Sequence, residues 1–200
     1  VWLVVIGALL AGSVAAAWWA LNVWAALYVF LGAFFYAVVY TVWLKRRSWL
    51  NIVVGGLAGS FAVLAGAAAV DPAIGALPLL LALVLFLWTP PHFWSLAIAN
   101  QDDYAAAGVP MLPVVVGTQR AAQVVFWSTV ALVAASLLPV LFGAGVWYFA
   151  AAAIGGAVFL HKSWRLARRP SRKTAMASFF ASLFQLSLVL AGASLDGVLR

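Results

Sequence analysis

The sequence predicts an all-α fold, a polytopic transmembrane helical bundle. Three observations lead there. Hydrophobic residues make up 68% of the chain and charged residues 8%, whereas an ordinary soluble domain carries about 45–50% and about 25%. So few charges cannot cover a soluble domain of this size, and a disordered chain needs the opposite composition. Residues 1–44 and 121–160 contain no charge at all. The charges that exist fall between apolar runs of span length.

The elements follow in order. As one helix, residues 1–44 would measure about 66 Å, twice the thickness of the hydrocarbon layer. The run must fold back, and Asn22 is the strongly polar residue near its middle. That predicts spans over 1–21 and 24–44. A third span fits 52–70, between Asn51 and Asp71, and a fourth fits 77–99. Pro90 and Pro91 inside the fourth are expected to bend or break it. Residues 100–120 read as a polar loop. The run 121–160 is again too long for one crossing, and Pro139, Gly143 and Gly145 mark its break. Spans are predicted at 121–141, 146–162 and 175–195, seven in total, forming one domain over 1–200.

Alternation of these spans sorts the cations. Lys45, Arg46, Arg47, Arg120, Lys162, Arg165, Arg168, Arg169, Arg172 and Lys173 share one side, and Arg200 stands on the other. Ten against one is a positive-inside signal that supports the span count independently. It predicts Val1 near the cytoplasm and Arg200 near the opposite face. The chain starts at Val1 inside an apolar run, without the charged region or cleavage site of a signal peptide. The expectation is a fragment of a longer protein.

Composition also limits the chemistry. There is no cysteine, so disulfides and thiolate chemistry are excluded, and all four acids are aspartates. A net charge of +7 can signal nucleic acid, but in so apolar a chain the cations flank spans, and no nucleic-acid partner is expected. Runs such as Gly55-Gly56-Leu57-Ala58-Gly59 read as close helix packing.

Three polar clusters fall on the predicted cytoplasmic side. In Asn100-Gln101-Asp102-Asp103-Tyr104, two adjacent carboxylates gain from a cation between them and suit Mg²⁺. The plain alternative is a solvated loop. In Tyr40-Thr41-Val42-Trp43-Leu44-Lys45-Arg46-Arg47, a phenol, an indole and three cations gather at one boundary. That is either an interfacial anchor or a clamp for a diphosphate or carboxylate. In Trp88-Thr89-Pro90-Pro91-His92-Phe93-Trp94, His92 lies about two turns inside the membrane. It is either a hydrogen-bonded packing residue or a ligand. If the helix runs on, His92 and Asp103 share nearly one face. The segment 107–117 is apolar yet rich in proline and glycine. It reads as a lid over a site or as a re-entry turn. The run from Lys162 to Lys173 reads as attraction to anionic lipids, with His161 in the interface.

YTVWLKRRSWLNIVVGG over 40–56, FLWTPPHFWSLAI over 86–98 and DDYAAAGVPMLPVVVGT over 102–118 resemble, in this order, the haem-farnesylating branch of the UbiA-type intramembrane prenyltransferases. The resemblance implies a nine-helix fold, of which the seven spans here match the third to the ninth. Two spans and a first acidic motif would then lie upstream of Val1, and this fragment alone would be inactive. It implies transfer of farnesyl from farnesyl diphosphate to a vinyl group of protohaem IX (haem b), giving haem O for terminal oxidases. Mg²⁺ is the implied cofactor, and haem b is a substrate. Membrane lipid, and haem A synthase or terminal oxidase assembly, are the implied partners. A bacterial inner membrane is the implied location, with the site at its cytoplasmic side. Carried onto this sequence, the catalytic set is Lys45, Arg46, Arg47, Asp102 and Asp103, with the two aspartates on the metal. Tyr40, Asn51, His92, Trp94 and Tyr104 are the substrate-binding set. One departure stands out: Lys45 follows Tyr40 by five residues, where relatives often place such a pair four apart. The alternatives are a prenyltransferase acting on a quinone precursor or chlorin, and a non-catalytic membrane subunit or transporter component.

Overall fold

The computed structural model describes residues 2–199. Among them every regular element is a helix. Helix α1 spans Trp2–Ala20 and α2 spans Val23–Phe34, which continues as a π-helical segment over Phe35–Leu44. Helices α3 (Asn51–Val70) and α4 (Ala76–Ala99) follow, then two short helices, α5 (Gln101–Ala106) and α6 (Leu112–Val116). Helices α7 (Thr118–Leu141), α8 (Val146–Arg168) and α9 (Arg172–Val198) complete the bundle. The seven long helices coincide with the seven predicted spans. Five of them are long and apolar enough to cross a membrane on those grounds alone: 23–44, α3, α4, α7 and α9. α1 is apolar but shorter, and α8 carries its cations in its last two turns.

The predicted breaks have physical causes. The Asn22 side chain accepts from Ala25 N at 2.9 Å and so caps α2, while its amide donates to Ala68 O of α3 at 2.6 Å. Between α7 and α8 the chain turns at Gly143, whose φ of +100° favours glycine.

Two expectations are corrected. α4 does not break at Pro90 and Pro91 but runs on as one helix through both. The prolines withhold the two donors that would reach the Phe86 and Leu87 carbonyls, and the helix keeps its winding on either side of them. Thr89 Oγ1 donates to Leu85 O at 2.9 Å and Ser95 Oγ to Pro91 O at 2.7 Å. Gly56 of α3 sits so close that a Cβ there would meet the Phe86 carbonyl at 3.4 Å. The second correction concerns 100–120, which is two short helices with a buried strap between α4 and α7. Val109, Met111, Leu112 and Pro113 are all buried there, in one core with Trp94, Ala122 and Val125. These four residues are therefore anchored in protein, while Val115 stays exposed.

The two ends of the bundle differ in charge. At one end Asp71, Ala76 and Leu77 meet Phe142, and Asp196 meets Gly145. At the other end Ile52, Trp94, Met111, Leu166 and Ala175 form one core, with Tyr40 and Tyr104 packed against it. All the described cations belong to the helix ends and turns at this second, basic end. Val1 and Arg200, expected at opposite faces, lie outside the described residues.

Candidate active site at the basic end

The π-helical segment builds one wall of the site. Its backbone bonds run five residues back, as in Lys45 N to Tyr40 O at 2.8 Å. Thr41 Oγ1 reinforces this winding by donating to Tyr36 O at 2.7 Å. Residues five apart are then neighbours, as residues four apart are in an α-helix. The five-residue spacing of Tyr40 and Lys45 is thereby absorbed: Lys45 Nζ lies 5.9 Å from the centre of the Tyr40 ring. Tyr36 packs beside it, with ring centres 5.8 Å apart.

Glycine makes room for this tyrosine. A Cβ on Gly55 of α3 would fall 2.9 Å from a Tyr40 ring carbon. The absent methyl lets the ring lie against the backbone of α3. Tyr36, Tyr40, Ile52, Gly55, Thr89 and Phe93 enclose a cavity of about 150 Å³ here. It is apolar with a phenolic rim, and the Lys45 ammonium stands over Tyr40.

The turn after the π segment is held from below. Asn51 is fully buried, and its amide donates to Lys45 O at 3.1 Å. Asn51 therefore acts on the cationic turn rather than in the cavity, and its Oδ1 has no partner in the protein. Arg46 and Arg47 are exposed on that turn. Trp94 is 4% exposed and packs against Trp49, ring centres 6.3 Å apart. It forms the floor of the turn, and its Nε1 also lacks a protein partner.

The aspartates sit in the first turn of α5, both exposed. Tyr104 follows them, packed on the core that also holds Tyr40. Burial raises its phenol above the usual 10.0, so it is a neutral hydrogen-bonding group. Gln101 steadies the same helix: its amide donates to Pro113 O at 3.1 Å, and its carbonyl oxygen accepts from Thr118 Oγ1. Adjacent exposed carboxylates fit Mg²⁺, which takes one or two carboxylates and keeps waters and substrate phosphates. Among the described residues no three His, Cys, Asp or Glu side chains cluster as a metal site. The donor set therefore fits an ion that takes only one or two protein carboxylates, and does not fit an all-protein cage.

His92 lies apart from this cluster. Its ring is sandwiched between Trp88, with centres 4.1 Å apart, and Phe179, with centres 4.5 Å apart. Its Nδ1 pairs with Ser182 Oγ at 2.7 Å. The expected shared face with Asp103 does not form, because Asn100 leaves helical geometry (φ −125°, ψ 37°) and α5 starts afresh. Phe93 joins the two regions, lining the cavity and meeting His92 edge-on at 4.9 Å.

The structure thus brings Tyr40, Lys45, Asn51, Trp94 and Tyr104 together around one core, and leaves Arg46, Arg47, Asp102 and Asp103 exposed near it. Tyr36, Gly55, Thr89 and Phe93 are additions. Tyr36 had a signal, since an aromatic four residues before Tyr40 shares its helix face. Gly55 lay inside the first motif. Thr89 and Phe93 needed the α3–α4 pairing.

Comparison with known proteins agrees with this architecture. Residues 1–189 match the UbiA prenyltransferase family. The chain is 60% identical over 192 residues to protoheme IX farnesyltransferase 2 of Paramagnetospirillum magneticum, covering 96% of this chain and 67% of that protein. It is 59% identical over 165 residues to protoheme IX farnesyltransferase 1 of the same organism, covering 82% and 58%. It is 45% identical over 182 residues to the protoheme IX farnesyltransferase of Thermus thermophilus, covering 90% and 30%. The chain thus spans between about a third and two thirds of the length of these curated relatives. No solved structure matches it. This integral membrane chain belongs to the UbiA prenyltransferase family.

Proposed function

We propose that this chain is part of an enzyme that transfers farnesyl from farnesyl diphosphate to a vinyl group of protohaem IX, giving haem O and diphosphate. The observation that carries the reading is the 60% identity, over nearly the whole chain, to a protein named for this activity. The chemistry available at the basic end supports it.

The demanding step is departure of diphosphate from an allylic carbon. In this reading Asp102 and Asp103 hold Mg²⁺, directly or through water. The ion supplies charge stabilisation to the leaving diphosphate. Lys45, with Arg46 or Arg47, binds the diphosphate oxygens as charge develops on them. Asn51 keeps that turn in place through the Lys45 carbonyl. Tyr36 and Tyr40 offer phenols at the rim of the cavity, and Tyr104 offers another on the core that Tyr40 shares. The allylic end of the farnesyl chain enters the apolar cavity between the π segment, α3 and α4, where aromatic faces favour the allylic cation. The terminal vinyl carbon of haem b attacks that cation. The new cation beside the porphyrin takes up water and releases a proton, which gives the hydroxyethylfarnesyl group. His92 can meet haem, by iron ligation or by a hydrogen bond to a propionate, only through Nε2, because Nδ1 is engaged by Ser182. In this reading the basic end faces the cytoplasm of a bacterial inner membrane.

The test uses the full-length protein in bacterial membranes, with labelled farnesyl diphosphate and a choice of acceptors. Label is expected in haem O when haem b is offered. Label in a quinone precursor or chlorin, with none in haem, would replace this reading with another prenyl acceptor. His92→Phe is informative in the same assay. Loss of haem binding with farnesyl diphosphate binding retained supports the haem contact, and unchanged haem O formation makes His92 a packing residue.

A further inference from the structure

The α8–α9 corner carries a feature that the prenyl-transfer site does not use. His161, Trp164, Arg165 and Arg168 follow the spacing of one helix face, and all four are exposed. With Arg169 and Thr174 they line a cleft of about 380 Å³. Lys162, Arg165, Lys173, Thr174 and Ala177 line a second hollow of about 170 Å³. Arg165 and Thr174 belong to both, so the two form one furrow across the helical corner. The furrow has five cations and no acidic residue.

The order of groups along α8 is informative. Going inward from water there is Arg168, then Arg165 and Trp164, then His161. The Arg168 guanidinium lies 5.6 Å from the Trp164 ring centre, which holds its planar fork in place. Further in, the face turns apolar through exposed Ala157 and Ile154. This gradient from guanidinium through indole to aliphatic matches a phospholipid standing beside the helix. Its phosphate would lie at the arginines, its glycerol region at the indole, and an acyl chain along α8.

We propose that this furrow binds the headgroup phosphate of an anionic phospholipid of the basic-side leaflet, with Arg165 as the central contact. Charge complementarity names the occupant. A zwitterionic headgroup brings its own cation into a furrow that holds only cations, whereas phosphatidylglycerol brings a net negative charge and no cation.

The test is native mass spectrometry of the full-length protein in detergent, titrated with phosphatidylglycerol or phosphatidylcholine. The variants are Arg165→Gln/Arg168→Gln and a control, Arg120→Gln/Arg172→Gln, which removes two cations that do not line the furrow. Wild type is expected to retain phosphatidylglycerol about tenfold more strongly than phosphatidylcholine. The furrow variant is expected to lose that preference, and the control to keep it. Equal loss in both variants would mean diffuse attraction by net charge and would overturn the site. Displacement of the lipid by millimolar inorganic phosphate would make it a free-phosphate site and overturn the lipid occupant. Equal retention of both lipids by wild type would overturn it as well. All four substituted arginines are exposed, so the fold should tolerate each change.

Discussion

The four aspartates of this chain divide between the two ends of the bundle, and the two pairs do opposite things. At one end Asp196 is 8% exposed and accepts from Gly145 N at 2.6 Å and Tyr148 N at 3.2 Å, closing the first turn of α8. Asp71 accepts from Ala73 N at 2.8 Å in the turn after α3. Both are engaged by backbone groups. At the basic end Asp102 and Asp103 are exposed and consecutive in the first turn of α5, with no backbone group engaging their carboxylates among the described hydrogen bonds. Acidity alone therefore does not mark a site in a membrane protein. A carboxylate whose lone pairs already cap a helix is a structural part, and one that is not so engaged can take a ligand.

The largest effect that sharpens this contrast is metal removal. Chelation of Mg²⁺ from the full-length protein should reduce farnesyl transfer about a hundredfold or more, and added Mg²⁺ should restore it. The thermal unfolding midpoint should move little, because both aspartates are exposed on a short helix and bury nothing. Retained transfer after chelation would break the comparison at the basic end.

Asp196→Ala should act the other way. It strips the cap from a buried helix start and should cost about 2 kcal/mol of stability, read by thermal unfolding in detergent. Transfer per folded molecule should persist. A loss of activity without a loss of stability would mean that the far end shares in the chemistry.

Gly55→Ala pushes a methyl against the Tyr40 ring and should shift the π-helical wall. A rise in the KM for farnesyl diphosphate of about tenfold, at modest cost in stability, is expected. The smallest effect concerns Tyr104. Burial raises its pKa above 10.0, so its contribution is complete below pH 10 and fades as pH climbs through the raised value. Tyr104→Phe should flatten that alkaline loss and leave stability at neutral pH unchanged.

Much of the bundle could be read from one-dimensional punctuation. Charges cannot sit in hydrocarbon, so Lys45, Asp71, Arg120 and Lys162 bounded the spans, and Asn22 and Gly143 marked turns for reasons of capping and backbone freedom. The site was legible in part. The cationic turn and the aspartates stood in one motif each, but nothing in residue type announced a π-helix over Phe35–Leu44. Helix winding is set by packing against α3, and the glycine that permits it lies fifteen residues beyond Tyr40. The continuation of α4 through two prolines has a tertiary part, since Gly56 of α3 lies against the Phe86 carbonyl that Pro90 leaves without a helical donor. The shared face of His92 and Asp103 required one helix through both, and a single residue, Asn100, ends it. The pairing of His92 with Ser182 joins positions far apart in the chain, which no local pattern reveals.

The most direct measurement is haem chromatography from membranes of a haem-O-deficient bacterium carrying the full-length protein. Wild type would be compared with Asp102→Ala, Asp103→Ala and Asp196→Ala at matched expression. Haem O from wild type and Asp196→Ala, and none from the other two, is the predicted result. Haem O at wild-type levels from Asp102→Ala and Asp103→Ala would contradict the assignment of the exposed pair to the metal and the leaving diphosphate.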